Sequence, residues 1–391
     1  MLEFLIKFKW IIGFYLVIAI LLYIKRKRID VQAKIIFLYR MSFGLKFIEK
    51  ISKKYREWVR LCGYIGVGAG YVGLVIISYS LIKNLIVLFT QPTAQSGVSL
   101  VLPGISVPGL GVLPFWYWIL AIFLIALIHE FSHGIVARAH DIKVKNTGLV
   151  LFGPIIGAFV EPDEQQMRKQ SDITQYSVLA AGSFSNILMA VVSILLLTWV
   201  LLPIQATMVE PVGFTFHEYY GEDFAFEQAG IEPGTIITGI NGESTTNFRP
   251  FGDVLQCTKP GEEISLSTTS GDVPLTLGKD PTDESKSFLG IQTIENEVKV
   301  KEQYEGGLLG VFYAALVWLI GFLRWLFLLS LGIGLFNLLP LPIVDGGRMV
   351  QVALHKLSGT DKGERQYRML ALVTLMVLLL NLFYPLIAKI F

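Results

Sequence analysis

Charged side chains are scarce in this chain: Asp, Glu, Lys and Arg together make up 16% of its 391 residues, against 53% hydrophobic ones. Such a balance lies outside the range of soluble globular domains and places the protein in a lipid bilayer. From Asn84 to Ile128 none of the four charged types occurs. Cysteine is nearly absent as well. Cys62 falls in an expected span and Cys257 in the expected outer domain, which argues against a disulfide between them, and neither belongs to a CxxC pair. Both thiols are expected to serve packing. There is no internal repeat, no low-complexity tract and no basic pattern that would engage nucleic acid.

A membrane-spanning helix needs about 20 mostly apolar residues, and six stretches approach that: 8–24, 61–82, 113–138, 176–202, 308–339 and 369–387. The first is free of charge only from Trp10 to Ile24, with Lys7 and Lys9 placed to snorkel. It lacks a small-residue cleavage site after its apolar core and reads as an uncleaved anchor. Basic residues set the orientation. Residues 25–60 hold twelve Lys or Arg against three acidic residues, which assigns them to the cytoplasm. Within them, apolar clusters such as Ile35-Ile36-Phe37-Leu38 alternate with cations, as in an interfacial helix pair on anionic lipid. Alternation then puts 84–112 outside, 140–173 inside, 205–306 outside and 345–368 inside. Charge agrees: 205–300 carries sixteen acidic and five basic residues, whereas Arg348, Lys356, Lys362, Arg365 and Arg368 crowd the last inner loop.

Into the apolar run ending at Ile128 come two imidazoles and a carboxylate, in His129-Glu130-Phe131-Ser132-His133. Four residues apart on a helix, His129 and His133 share one face and reach one metal, with Glu130 beside them. HExxH alone is a weak signature. What strengthens it is the cost of an ionisable group at membrane depth, about 2.5 to 3.5 kcal/mol on insertion scales. Catalytic zinc takes three protein ligands and leaves a position for water. The best third candidate is Asp345, in the stretch 337–348 (NLLPLPIVDGGR), which alternation brings to the membrane face where the HExxH helix ends. Pro340 and Pro342 end the preceding helix, and Gly346-Gly347 lets backbone approach closely. In this chemistry Glu130 is the base that accepts a proton from the attacking water, and Asn337 is a neutral amide able to hold substrate backbone. His140, His217 and His355 are read as ordinary surface residues.

Three stretches together resemble the site-2 protease family of intramembrane zinc metallopeptidases: HEFSHG, NLLPLPIVDGGR and, on the helix between them, Ala181-Gly182-Ser183-Phe184-Ser185-Asn186. The resemblance covers about 103–350, and Val344 stands where the family often has Leu. It implies zinc held by His129, His133 and Asp345, Glu130 as catalytic base, and substrate contacts from Asn337 and Asn186. Residues 224–243 (FAFEQAGIEPGTIITGINGE) resemble a protease-associated PDZ domain, with Thr235 in place of the common Asp. Physically they read as a short helix, a Pro-Gly turn, a strand and an Asn-Gly hairpin turn, with further strands at 264–268 and 273–277.

Residues 147–159 (TGLVLFGPIIGAF) are uncharged, too short to span, and broken by Gly148, Gly153, Pro154 and Gly157. They are expected to form a re-entrant hairpin, with Gly153 among the substrate-binding residues, whose edge takes up extended substrate by strand addition. Residues 91–113 are similarly apolar and irregular, and are placed at the outer interface. The expected fold is thus a polytopic α-helical membrane protein of about six transmembrane helices, with an inserted extracytoplasmic PDZ-like α+β domain and the re-entrant hairpin. Its parts are an anchor and basic region (1–60), a membrane core (61–204), the PDZ-like domain (205–305) and a second core segment (306–391). It sits in the cell membrane with its active site toward the cytoplasm. Its expected partners are the lipid bilayer, single-pass transmembrane substrates and a peptide or protein ligand of the PDZ-like domain. Rival readings are a metal transporter using the same ligands, a catalytically dead membrane chaperone, and a prenyl-protein type HExxH peptidase whose third ligand is Glu.

Overall fold

The computed structural model describes residues 8–32, 36–91, 97–98, 102–104, 106–107, 111–153, 155–221, 224–281 and 283–387. The chain divides into two compact units, 1–197 with 321–391 and 198–320. Five helical runs are long and apolar enough to cross a membrane: Arg56–Thr90, Phe115–Ala139, Asp172–Met208, Gly307–Phe336 and Thr360–Tyr384. This is an integral membrane protein of the polytopic helical class. The sixth expected span forms a helix, Lys9–Lys25 (α1), of 17 residues. At 1.5 Å per residue that is about 26 Å, short of a hydrocarbon core of about 30 Å.

In the first unit, α1 is followed by strands Ile29–Gln32 (β1) and Ile36–Met41 (β2), then helices Phe43–Lys54 (α2) and Arg56–Thr90 (α3). Of the stretch expected to form an interfacial helix pair, 36–41 is a strand and 43–54 a helix. Ile36 to Leu38, with Tyr39, are β-branched or aromatic in three of four positions, and they pair with a later strand instead. Helix Phe115–Ala139 (α4) carries the HExxH residues, and strands Val144–Phe152 (β3) and Ile155–Pro162 (β4) fold back as an antiparallel hairpin. The sheet order is β1-β2-β3-β4, so β4 is an edge. Of the 91–113 stretch, most lies outside the described residues.

Helix Asp172–Leu196 (α5) packs on α3 through a glycine stripe. Gly63, Gly66 and Gly70 are buried; a methyl group on Gly63 would run into Ser177 of α5, and on Gly66 and Gly70 it would press on Phe184 and Ala180 at 3.3 Å. Small residues of this kind let helix backbones approach in lipid, where there is no hydrophobic drive to hold them together. Beyond Gly307–Phe336 (α6), the short helix Asp345–Ser358 (α7) and Thr360–Ile387 (α8) complete the unit. Its core joins Val136, Val178, Leu179, Leu338 and Met349, which brings α4, α5, the end of α6 and α7 together.

The second unit contains strands Val209–Tyr219 (β5), Ile237–Ile240 (β6), Glu243–Ser244 (β7), Glu263–Thr268 (β8), Gly271–Thr276 (β9) and Ile291–Val300 (β10). They form one sheet in the order β9-β8-β6-β5-β10, with β7 on β6. Asn241 and Gly242 both have positive φ, +52° and +80°, as a two-residue type I′ hairpin turn requires. Fully buried Phe214, Phe216, Phe226, Phe251, Ile237, Ile240 and Leu266 form its core.

Three small expectations are corrected. Cys62 and Cys257 are free and exposed rather than packed. His140 is buried at the end of α4, its backbone N–H donating to Val136 and Ala137, with its ring 5.7 Å from that of Tyr64. Burial, aided by Arg60 and Arg56, lowers its pKa.

Candidate metal centre

Helix α4 sets His129 and His133 on one face, and α7 begins at Asp345, whose carboxylate arrives from the opposite side. The Nε2 atoms of the two histidines are 3.2 Å apart. Asp345 Oδ2 lies 3.2 Å from His129 Nε2 and 3.3 Å from His133 Nε2. All three side chains are largely buried.

What occupies the other ring nitrogens decides what these donors are. His133 Nδ1 lies 2.7 Å from the carbonyl oxygen of Val178 on α5. A carbonyl only accepts, so Nδ1 carries the proton and Nε2 presents a lone pair. His129 Nδ1 is 3.1 Å from Asn186 Nδ2; with the nitrogen and oxygen of that amide exchanged, the oxygen accepts the Nδ1 proton and Nε2 presents a lone pair. That oxygen otherwise has no partner, and neither does the buried Asp345 Oδ2. Three lone pairs thus converge with no proton between them, an arrangement that a cation relieves. Zinc bonds of about 2.0 to 2.1 Å at tetrahedral angles separate ligands by about 3.3 to 3.4 Å, and the observed spacings match. Among the described residues this is the group of three or more His, Cys, Asp or Glu poised to hold a metal.

The surroundings keep the trio in place. A Cβ on Gly182 would collide with the rings of both His129 and His133, so glycine is what allows α5 to pass behind them. Asn186 is anchored in turn by the Ser330 hydroxyl of α6, which donates to its backbone carbonyl at 2.7 Å. The backbone N–H of Gly346 donates to the carbonyl of Asn337 at 2.8 Å. A methyl group on Gly346 or Gly347 would strike the backbone of Leu338 or Leu341. Pro340 and Pro342 end α6 while the two glycines lock α7 against that end, and so the fold delivers Asp345 to the histidines.

Glu130, next to His129 on α4, reaches β4. Its Oε2 accepts the backbone N–H of Val160 in β4 at 3.0 Å. The Val160 amide therefore faces away from β3, and by the alternation of an antiparallel ladder so do those of Ala158 and Ile156. Two cavities meet at the trio. One, of about 310 Å³, is lined by His129, Glu130, Asp345, Asn186 and Asn337 together with aliphatic side chains. The other, of about 440 Å³, is lined by Glu130, His133 and Asp345 with Lys145, Glu161, Glu164 and Arg348.

Of the residues singled out in the sequence, His129, Glu130, His133, Asn186, Asn337 and Asp345 come together. Gly153 does not. It is an exposed turn residue, φ +57°, beyond the Ile155 end of β4, and Val160 lies five residues further along the strand from that end, roughly 17 Å at strand rise. Val178 and Ser330 escape sequence reading, because a carbonyl acceptor and a hydroxyl on another helix leave no spacing signal.

The chain matches the profile of Peptidase family M50 over residues 117–381. It is 26% identical over 341 residues to an uncharacterized protein of Methanocaldococcus jannaschii, covering 85% of this chain and 81% of that one. It is also similar to zinc metalloprotease RasP of Oceanobacillus iheyensis, 24% identical over 51% of this chain and 55% of the relative. A further match is the regulator of sigma-E protease RseP of Escherichia coli, 26% identical over 37% and 29%. The chain thus spans about a third to a half of these named proteases. With the profile covering the whole run from the first HExxH turn past Asp345, the chain belongs to Peptidase family M50, the site-2 protease family.

Proposed function

We propose that this protein is an intramembrane zinc endopeptidase that cuts transmembrane segments of membrane-anchored proteins, as in regulated intramembrane proteolysis. The observation that carries the reading is the convergence of three bare donors at 3.2 to 3.3 Å beside a carboxylate in the same cavity. When bound, zinc supplies a Lewis acid and makes water ionisable near neutral pH. His129, His133 and Asp345 hold it. Glu130 accepts the proton of the attacking water and returns it to the leaving amine. Asn337, on the rim of the same cavity, holds substrate backbone through its amide.

A transmembrane helix hides its carbonyls in its own hydrogen bonds, so it must be unwound before cleavage. The outward amides of β4 offer an extended segment new partners, next to the carboxylate that does the proton transfer. The hairpin reads as re-entrant. The unit at 198–320 reads as a PDZ-like domain on the extracytoplasmic side, where it meets a partner terminus, and the metal centre reads as lying toward the cytoplasm.

Zinc stoichiometry and cleavage of a synthetic transmembrane peptide in lipid nanodiscs test the reading with wild type and Glu130→Gln. Zinc in both, with cleavage by wild type alone and a loss of at least about 10² from removing the acid–base group, is expected. Equal cleavage by both proteins, or zinc in neither, overturns it.

A further inference from the structure

The stretch that delivers Asp345 carries an apolar side chain where turns rarely have one. Val344 N–H donates to the Leu341 carbonyl at 3.3 Å, closing a turn with Pro342 and Ile343 at its centre. Proline suits the first central position, whereas the second favours Asn, Asp, Ser or Gly. Ile343 is 91% exposed, while Leu338, Leu339 and Leu341 just before it are buried. The turn cannot fold inward to hide it, since α7 packs its glycines on the Leu338 and Leu341 backbone. A local choice that conflicts with the rest of the fold marks a functional position.

Nor does Ile343 simply face lipid. It lines the 310 Å³ cavity with Ile122 and Ile125 of α4, Ile333 of α6 and Val344, across from Glu130 and Asp345. On the other side of the trio, the second cavity is charged, with Lys145, Glu161, Glu164 and Arg348. Apart from the metal-centre residues and Glu130, the first cavity adds aliphatic side chains and two amides, whereas the second adds four charged side chains beside Val160, Met167, Val178 and Leu179.

We infer that Ile343 forms the rim of a subsite that takes an aliphatic side chain adjoining the scissile bond. The preferred substrate then carries a Leu-sized aliphatic residue on one side of the cut and polar sequence on the other. The bond chosen lies where a transmembrane segment gives way to its charged flank. This inference rests on the endopeptidase reading, and it adds which bond is selected.

The test uses the full zinc-loaded chain in nanodiscs and a peptide series with Leu, Ala or Asp at each position flanking the cut, the cut being mapped by mass spectrometry. In wild type, Leu→Ala at one of the two positions lowers kcat/KM by about tenfold or more, the scale of a lost aliphatic contact. Ile343→Ala reduces that ratio to within about threefold with zinc content unchanged, and Ile343→Leu restores the ratio. Affinities of the inert Glu130→Gln protein for the same peptides, with and without Ile343→Ala, give the ratio independently of turnover. An unchanged ratio in Ile343→Ala by either measure overturns the subsite. Absence of cleavage of every peptide by zinc-loaded wild type overturns the endopeptidase reading, and the binding ratio then still decides for or against the subsite.

Discussion

Gly182 shows how one residue can matter more than its size suggests. The donors of the metal centre come from α4 and α7, yet the wall behind them is α5, and that wall touches both imidazoles where Gly182 has no side chain. Gly182→Val should push α5 off α4 and take with it the Val178 carbonyl that fixes the His133 tautomer and the Asn186 amide that fixes His129. Loss of such orienting partners lowers metal affinity by about 10- to 100-fold. A fluorescent-chelator competition against wild type measures it, and unaltered affinity would show that α5 does not press on the rings. The donors themselves were legible in the sequence, because helical spacing puts His129 and His133 on one face and the Pro and Gly residues around Asp345 announce a close turn. Their supports were not, since a backbone carbonyl on α5 and the Ser330 hydroxyl on α6 become partners only once the helices have packed.

At the scale of elements, the hairpin β3–β4 couples sheet and helix: β4 is an edge of the four-stranded sheet, and its Val160 amide holds the Glu130 carboxylate. Proline is tolerated on an edge strand where the missing N–H faced away from the ladder. Ile156→Pro removes an outward amide and should leave the hairpin and zinc content intact while cleavage falls by about tenfold or more, if each backbone bond to substrate contributes about 1 kcal/mol or more. Gly157→Pro removes a ladder amide and should unfold the hairpin, which makes it the control. Full activity of a folded Ile156→Pro protein would mean that substrate does not pair with this edge. A turn at 147–159 was readable from its Gly and Pro residues. The four-stranded sheet was not, because β2 is a short apolar run without clear alternation, and it pairs with β3, about a hundred residues further on. Local pattern cannot distinguish such a run from one side of an interfacial helix.

For the whole molecule, the decisive question is which way the five spans run. If each crosses once, the end of α4 and the start of α7 fall on the same face, as the convergence of His133 and Asp345 demands. The proposed orientation follows the basic residues: twelve in 25–60 and five in α7 and the start of α8, against sixteen acidic residues in 205–300. Two exposed thiols report on this arrangement in the native chain. Cys257 follows the helix Phe248–Leu255 in the second unit, whereas Cys62 lies in the candidate span Arg56–Thr90, which the proposed topology embeds in lipid. In intact cells a membrane-impermeant maleimide should therefore label wild type and Cys62→Ser equally, and should not label Cys257→Ser. Labelling of Cys257 only after permeabilisation would reverse the orientation and place the metal centre toward the cell exterior. The substrates would then be cut near their outer ends and no cytoplasmic fragment would be released.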